Sequence, residues 1–301
     1  MISIEELLYR YAEDSTLALD GISLAIGEGE HVALVGPNGC GKTTLVKHLN
    51  GLLVPLAGNV IIDGMNTRDR TRLAEIRRRV GMIFQNPDNQ IVGMTLEEDV
   101  AFGPGNLRLP PVEIRDRVDK ALAAVGLAPY RDRHPHTLSG GEKQLLALAG
   151  ILAMDPRYTV LDEPTSSLDP AARSKVLAMM TGLKLRGITI IHATHTMEDA
   201  ASADRVVVMD KGRIVADGAP SSIFGRVEWL KDLGLAPPPI AELLWRLRER
   251  GVAIEPGAFT IEEAAEALAQ LSGSSDGCVA TGGGSMATSC IAPEDRDWTH
   301  E

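Results

Sequence analysis

Cysteine is scarce: the 301 residues contain three, Cys40, Cys278 and Cys290. That number suits no disulfide framework, and a reducing cytosol is expected. Long apolar runs are missing too. No stretch nears the roughly 18 consecutive apolar residues of a membrane-spanning helix, and the run from Gln144 to Met154 reads as a buried helix. The start of the chain shows no charged-then-apolar leader and opens on a strand-like segment, so the chain is not expected to be a channel. Positive charge is in deficit, with 30 basic against 41 acidic residues and a net charge of −11, which argues against broad nucleic-acid binding. Basic residues concentrate once, at Arg68, Arg70, Arg72, Arg77, Arg78 and Arg79. Leu73, Ile76 and Val80 recur among them at helical spacing, so a solvated helix face is favoured over an anion site.

What is present is a set of phosphate-handling sequences. Gly36-Pro37-Asn38-Gly39-Cys40-Gly41-Lys42-Thr43 lies between an apolar run, His31 to Val35, and an apolar-periodic helix from Thr43 to Leu49. Strand, glycine loop and helix form the context in which G-x-x-x-x-G-K-T binds phosphate. The glycines let consecutive backbone N–H groups wrap an anion, and the helix start adds its positive end. In that arrangement Lys42 reaches the β- and γ-phosphates of ATP, Thr43 is a Mg²⁺ ligand and Thr44 is a secondary phosphate contact. Cys40 reads as a small loop residue.

Tyr158 to Leu161 reads as a strand buried on both faces, ending in Asp162 and Glu163. Ligands of parallel sheets bind at the carboxyl ends of strands. Neighbours in an extended chain point oppositely, so the two acids are expected to differ in role: Asp162 as the outer Mg²⁺ ligand, Glu163 polarising a water beside the γ-phosphate. A solvated acid pair at a strand end is the plainer reading, and the phosphate loop upstream weighs against it. Ile188 to His195 is a further buried strand. His192 and His195, three apart, face opposite sides, so His192 reads as a core histidine, while His195 is placed to donate a hydrogen bond to the γ-phosphate. His134 and His136 lack the further ligands of a metal site and read as loop.

Along the chain, Ser3 to Glu30 suggests an antiparallel strand layer with turns at Glu13-Asp14 and Gly27-Glu28-Gly29. Residues from about 90 to 150 read as helices, with capping-box spacing at Thr95 and Glu98. Strands resume at Tyr158, Thr189 and Arg205, with a turn at Lys211-Gly212-Arg213. The α/β pattern ends near residue 220. In 221–271, Ile240, Leu243, Leu244 and Leu247 share a helical face, and Thr260 and Glu263 form a second capping box before Ala264, Ala265, Leu268 and Leu271. Such short amphipathic helices must dock, either on the core or on a copy of themselves. From Ser272 to Glu301 the Gly/Ser-rich composition predicts disorder.

These sequences, with the second glycine loop Ser139-Gly140-Gly141-Glu142, together resemble the nucleotide-binding domain of ATP-binding-cassette (ABC) proteins over residues 1–220. The resemblance implies a P-loop NTPase of ABC type: a mixed core sheet with helices on both faces, an N-terminal antiparallel layer and an inserted helical subdomain at 90–150. It implies that Tyr11 stacks on adenine; alone, Tyr11 is a surface aromatic. It implies that Gln85, otherwise a turn residue, senses the γ-phosphate, joins the Mg²⁺ set and links the site to a membrane partner. Ser139, Gly140, Gly141 and Glu142 would cap the ATP of a second subunit, Asp169 would cross the interface between them, and His195 would be the switch histidine. The second ATPase subunit, the same chain or a related one, would pair head to tail.

Within that family, Phe84 to Gln90 and Thr95 to Pro104 resemble the ATPases of energy-coupling-factor transporters, which import cobalt, nickel or vitamins. The partners implied are a transmembrane scaffold and a membrane substrate-binding protein, with the ATPase peripheral on the cytoplasmic face and no nucleic acid bound. The C-terminal helices would help the ATPases associate, a reading that stands beside simple intrachain packing. Asp88, Glu97, Glu98 or Asp99 is expected to accept arginines of the scaffold, the plainer reading being a solvated helix start, where acids are favoured anyway. One departure is Leu145-Leu146 where relatives carry a basic residue after Gln144, so interface electrostatics are expected to differ. The alternatives are a soluble ABC ATPase of translation or DNA repair and an ATP-binding regulator without turnover. A second cassette and a long coiled coil, marks of the first, are missing, and Glu163 argues against the second.

Overall fold

The computed structural model describes residues 1–273 apart from 14, 255 and 256, with the backbone alone for 270–273. Strands β1 (Ile2–Tyr9) and β2 (Leu19–Ile26) pair antiparallel, and β3 (His31–Val35) then enters the centre of the molecule and leads through the glycine loop into α1 (Lys42–Leu49). Strands β4 (Ala57–Ile62) and β5 (Met65–Asn66) return to the first pair, giving an antiparallel sheet of order β2-β1-β4-β5. Helix α2 (Leu73–Arg79) and β6 (Val80–Ile83) follow, then three helices, α3 (Leu96–Asn106), α4 (Pro111–Ala124) and α5 (Gly140–Met154). The chain re-enters the sheet as β7 (Tyr158–Asp162), α6 (Pro170–Leu185), β8 (Thr189–Thr194), α7 (Met197–Ala200), β9 (Arg205–Asp210) and β10 (Arg213–Gly218). The second sheet runs β10-β9-β3-β8-β7-β6, parallel except for β10 against β9.

Strand β3 shows why the large sheet needs cover on both faces. All five of its residues are buried. Val32 and Leu34 face a core shared with the antiparallel layer and with Leu45 and Leu49 of α1. Ala33 and Val35 face the other way, against Met197, Ala200, Ile223 and Phe224. This is the period-two alternation of a strand set between two layers. A third core joins Ile83, Leu161 and Ile190 of the sheet to α3, α4, α5 and α6. Leu145 and Leu146 belong to it, so the departure noted after Gln144 is absorbed by packing and adds nothing to a surface. Full burial of a leucine there contributes about 1.5–3 kcal/mol.

Several expectations change. Val80 begins a strand rather than continuing the arginine-bearing helix, because α2 ends at Arg79 and Val80 pairs with Tyr158. Arg79 is no solvated charge; it donates to Asp63 and Glu75. Strands β4, β5 and β6 had no counterpart in the sequence pattern. The capping box at Thr95 is present in full.

Beyond β10 lie α8 (Pro220–Phe224), α9 (Val227–Asp232), α10 (Pro239–Glu249) and α11 (Ile261–Gly273). Ala241 and Trp245 of α10 pack on the large-sheet core, while Leu244 meets Ile254 and Ala264 in a small core of its own. Leu243 is 47% exposed, so it leaves the stripe assigned to it: neighbours on a helix lie about 100° apart, and Leu244 takes the inward direction. Thr260 and Glu263 exchange both bonds of a capping box. Helix α11 continues through Ser272 and Gly273, where the composition predicts disorder, and the rest of that expectation falls outside the described residues, as do Asp14 and the side chain of Leu271.

Candidate functional site

The loop between β3 and α1 is shaped by close backbone approach. A Cβ on Gly36 would lie 2.3 Å from the Met209 carbonyl oxygen and 2.6 Å from Cys40 Sγ. Gly41, at φ +109, would place one 2.6 Å from the Ala18 carbonyl oxygen. Only glycine fits at both points. Cys40 is buried beneath the loop, where burial pushes its thiol pKa up, so it packs and is not poised to react. Lys42 starts α1 and is also buried; its Nζ donates to the carbonyls of Gly36 (2.6 Å) and Pro37 (3.3 Å) and lies 4.0 Å from Glu163 Oε1.

Strand β7 delivers the acids. Asp162 is 2% exposed, and its Oδ1 accepts a 3.0 Å bond from the Thr43 hydroxyl. Burial raises its pKa, against the opposing bond from Thr43. A hydroxyl and a carboxylate converging on one point form the hard oxygen set that suits Mg²⁺. Glu163, 7% exposed, separates from Asp162 by a different route from the one expected. Its φ of +52 turns the chain left-handed instead of alternating in an extended strand. The parallel register that sets Asp162 against Ala193 then carries Glu163 to β8, where its N–H donates to the Ala193 carbonyl at 2.9 Å. His195 follows β8, and its Nδ1 lies 2.5 Å from Glu163 Oε2. The acid–histidine pair follows from strand register.

A cleft of about 440 Å³ collects Tyr11, Asn38, Gly39, Gly41, Lys42, Thr43, Thr44, Gln85 and Glu163. Tyr11 reaches it with its hydroxyl 3.0 Å from Thr44 Oγ1 and its ring edge-on to Tyr9, a partnership no sequence pattern announced. Tyr9 in turn sits edge-on to His48, whose Nδ1 is 2.7 Å from the Thr44 carbonyl oxygen.

Ser139, Gly140, Gly141 and Glu142 do not line this cleft. They start α5, where Ser139 and Glu142 form a reciprocal capping box that is readable in the sequence as S-x-x-E. Gly141 packs against α6: a Cβ there would meet Ala172 Cβ at 2.6 Å. Asp169 caps α6, accepting from the N–H groups of Ala171 and Ala172. The two helix starts therefore lie side by side, and neither lines the cleft of the phosphate loop.

His192 is fully buried and stacks on His31 with ring centroids 6.1 Å apart. No cluster of three or more metal-ligating side chains occurs among the described residues, His134 and His136 included. Asp88 pairs with Lys143 and Glu97 with Arg131. Glu98 accepts from Met94 and Thr95, and Asp99 accepts from Val92 and Gly93. All four acids thus have partners inside the chain. The neighbouring groove, about 370 Å³, is lined largely by apolar groups, among them Leu52, Met82, Phe84, Val92, Phe102 and Met154. No helix among the described residues is long and apolar enough to cross a membrane.

Known proteins resemble this chain in sequence and in fold. The family model described as ABC transporter matches residues 19–166. The cobalt import ATP-binding protein CbiO of Syntrophus aciditrophicus is 54% identical over 269 residues, covering 89% of this chain and 96% of that protein. The energy-coupling factor transporter ATP-binding protein EcfA1 of Clostridium perfringens is 49% identical over 276 residues, covering 90% and 98%. Among solved structures, cbiO1 from Clostridium perfringens, part of the ABC transporter complex cbiONQ, superposes with a TM-score of 0.70 at 39% identity over 81% of this chain and 98% of that one. The ATP-binding cassette MJ0796, a dimer in a post-hydrolysis state bound to ADP and Pi, gives 0.67 at 30% identity over 73% and 99%. With its glycine loop, its buried acids and its separate second helix start, the chain is an ATPase and belongs to the ABC transporter ATP-binding proteins, in the cobalt-import and energy-coupling-factor group.

Proposed function

We propose that this chain powers a membrane importer of the energy-coupling-factor type, taking up cobalt, nickel or a vitamin, by closing on a second ATPase subunit around ATP. The observation that carries the reading is spatial. The cleft holds the chain's own Tyr11, phosphate loop, Gln85 and Glu163, while Ser139 to Glu142 begin a helix that does not line it. A helix start is an anion site, and one that serves no ligand of its own chain fits the triphosphate of a partner. Asp169, which caps the neighbouring helix, would cross the same interface in this reading.

In this reading Tyr11 stacks on the adenine, and the glycine-loop N–H groups with Lys42 and Thr44 bind the phosphates. Lys42 exchanges its bonds to the Gly36 and Pro37 carbonyls for phosphate oxygens. Thr43 and Asp162, with Gln85 alongside, would hold Mg²⁺. An ion held there would supply charge neutralisation to the phosphates. Glu163 accepts a proton from the attacking water, and His195 orients that carboxylate through Nδ1. With Nδ1–H committed to Glu163, the opposite nitrogen of His195 donates to the γ-phosphate only as the imidazolium. Positioning and charge stabilisation suffice for phosphoryl transfer, so closure of the interface gates the reaction.

The apolar groove beside Gln85 fits a helix of the transmembrane scaffold, which would hold the chain on the cytoplasmic face of the membrane. The groove's character moves that docking from charge to hydrophobic burial. Glu163→Gln provides the test. Turnover should fall by about 100-fold or more with ATP still bound, and ATP should then drive stable pairing of the ATPase subunits. Hydrolysis near the parent rate would overturn the assignment.

A further inference from the structure

We propose that Asp199 is a positioning residue for ATP hydrolysis, tying the Glu163–His195 pair to the turn that ends in Asp169. The proposal rests on the roles given to Glu163 and His195 above. Asp199 is 1% exposed, on the short helix α7 that begins two residues after His195. One carboxylate oxygen accepts the hydroxyl of Thr165, which lies two residues after Glu163. The other accepts Arg173 Nε at 2.7 Å and Nη2 at 2.6 Å. Arg173 is in the first turn of α6, and its own N–H donates to the Asp169 carbonyl at 2.9 Å. A single buried carboxylate therefore joins three segments: the turn after Glu163, the helix capped by Asp169, and the helix after His195.

The surroundings do not explain that charge. Met197 and Ala200, its neighbours on α7, pack into the apolar face of the large sheet. A buried carboxylate is costly unless fully paired, so an apolar residue would serve packing alone at least as well. The turn it grips is one that needs holding. Glu163 (φ +52) and Ser167 (φ +62) are both left-handed, each at a cost of about 1–2 kcal/mol. Ser166 ties back to the Glu163 carbonyl through its hydroxyl at 2.9 Å. The Thr165 bond fixes this turn to the same α7 that follows His195, so the separation of Glu163 from His195 and the placement of Asp169 are set by one group. A load on Asp169 reaches the hydrolytic pair through this tie.

The test measures steady-state ATP turnover of the full chain in its working complex. Asp199→Asn should lower kcat by about 10- to 100-fold, as misplacement of reacting groups does, with KM for ATP and nucleotide binding changed by less than about threefold. Arg173→Lys, which keeps a cation in reach, should recover much of the turnover lost in Arg173→Gln. If Asp199→Asn does not fold, Thr165→Val, which removes one hydroxyl, carries the same test, with a kcat loss of about 3- to 10-fold expected. A kcat within about twofold of the parent, or a loss confined to KM, overturns the proposal. Glu163→Gln separates the two readings. Hydrolysis surviving in that variant sinks the site itself, whereas its loss beside a fully active Asp199→Asn sinks the tie alone.

Discussion

Strand β7 is buried along its length, yet carboxylates at its two ends live under opposite conditions. At its start, Asp63 accepts the Tyr158 hydroxyl at 2.5 Å and the guanidinium groups of Arg79 and Arg157 at 2.9 Å each. Burial acts to raise its pKa, and hydrogen bonds from Tyr158, the Met1 amino group and Arg79 overcome that and hold it well below the usual carboxylate range. At its finish, Asp162 has the Thr43 hydroxyl as its hydrogen-bond partner, and burial raises its pKa. One end is neutralised by the fold itself. The other is compensated less: the Thr43 hydroxyl and the charges of Lys47 and Lys42 favour its ionised form, but burial outweighs them, a balance common at binding sites.

Exchanging each acid for its amide sharpens the contrast. Asp162→Asn should cut turnover by about 100-fold or more while leaving stability unchanged or higher. An acid whose pKa is raised by folding is penalised when ionised, so at neutral pH the amide relieves a cost. Turnover and thermal unfolding measured together would check this, and a clear loss of stability would contradict it. Asp63→Asn should do the reverse, lowering unfolding free energy by about 1–3 kcal/mol, because charge-assisted hydrogen bonds to Arg79 and Arg157 are lost while those half-exposed guanidinium groups keep water, with KM for ATP unchanged. Because its folded pKa is depressed, its stabilisation is present above the ordinary aspartate range and is lost as pH falls below it. Denaturant titration against pH reads both effects.

The effect that is smallest at neutral pH concerns two further buried groups, His31 and His192 of the large sheet. Burial pushes His31 down to about 4 and His192 down to about 3, and His192 has no partner on either ring nitrogen. Folded-state values below the ordinary 6.5 mean that the unfolded chain binds more protons in that window. Stability is therefore full above about pH 6.5 and falls with acidification by roughly 1.4 kcal/mol per pH unit for each histidine. Thermal melts between pH 7 and 4 should show the slope, and His192→Leu should flatten it. A slope unchanged in His192→Leu would mean that the His192 ring does not resist protonation.

The sequence disclosed elements whose chemistry is local. The glycine loop, the buried strand ending in Asp162 and the Thr95 capping box depend on consecutive or closely spaced residues, and all stand where the pattern put them. Strand β6 did not show itself, because Arg77 to Arg79 continue a helical spacing up to a four-residue strand that is apolar throughout and carries no alternation. Nor could the Glu163 turn be foreseen: left-handed backbone at a glutamate is set by register against β8. The Asp199 contacts join residues 26 and 34 positions apart, and no spacing rule reaches that far.

Ser139 illustrates how much one atom can carry. Its oxygen receives the amide hydrogen of Glu142, and Glu142 returns a carboxylate to the amide of Ser139. A hydroxyl offers two lone pairs but a single hydrogen. The amide of Glu142 uses lone-pair capacity, and the hydroxyl hydrogen, which the Glu142 carboxylate is near enough to receive, can turn to an outside acceptor while both backbone bonds of the cap stay in place. Rigidity and reach, which usually compete in a side chain, coexist here by division of labour within one functional group.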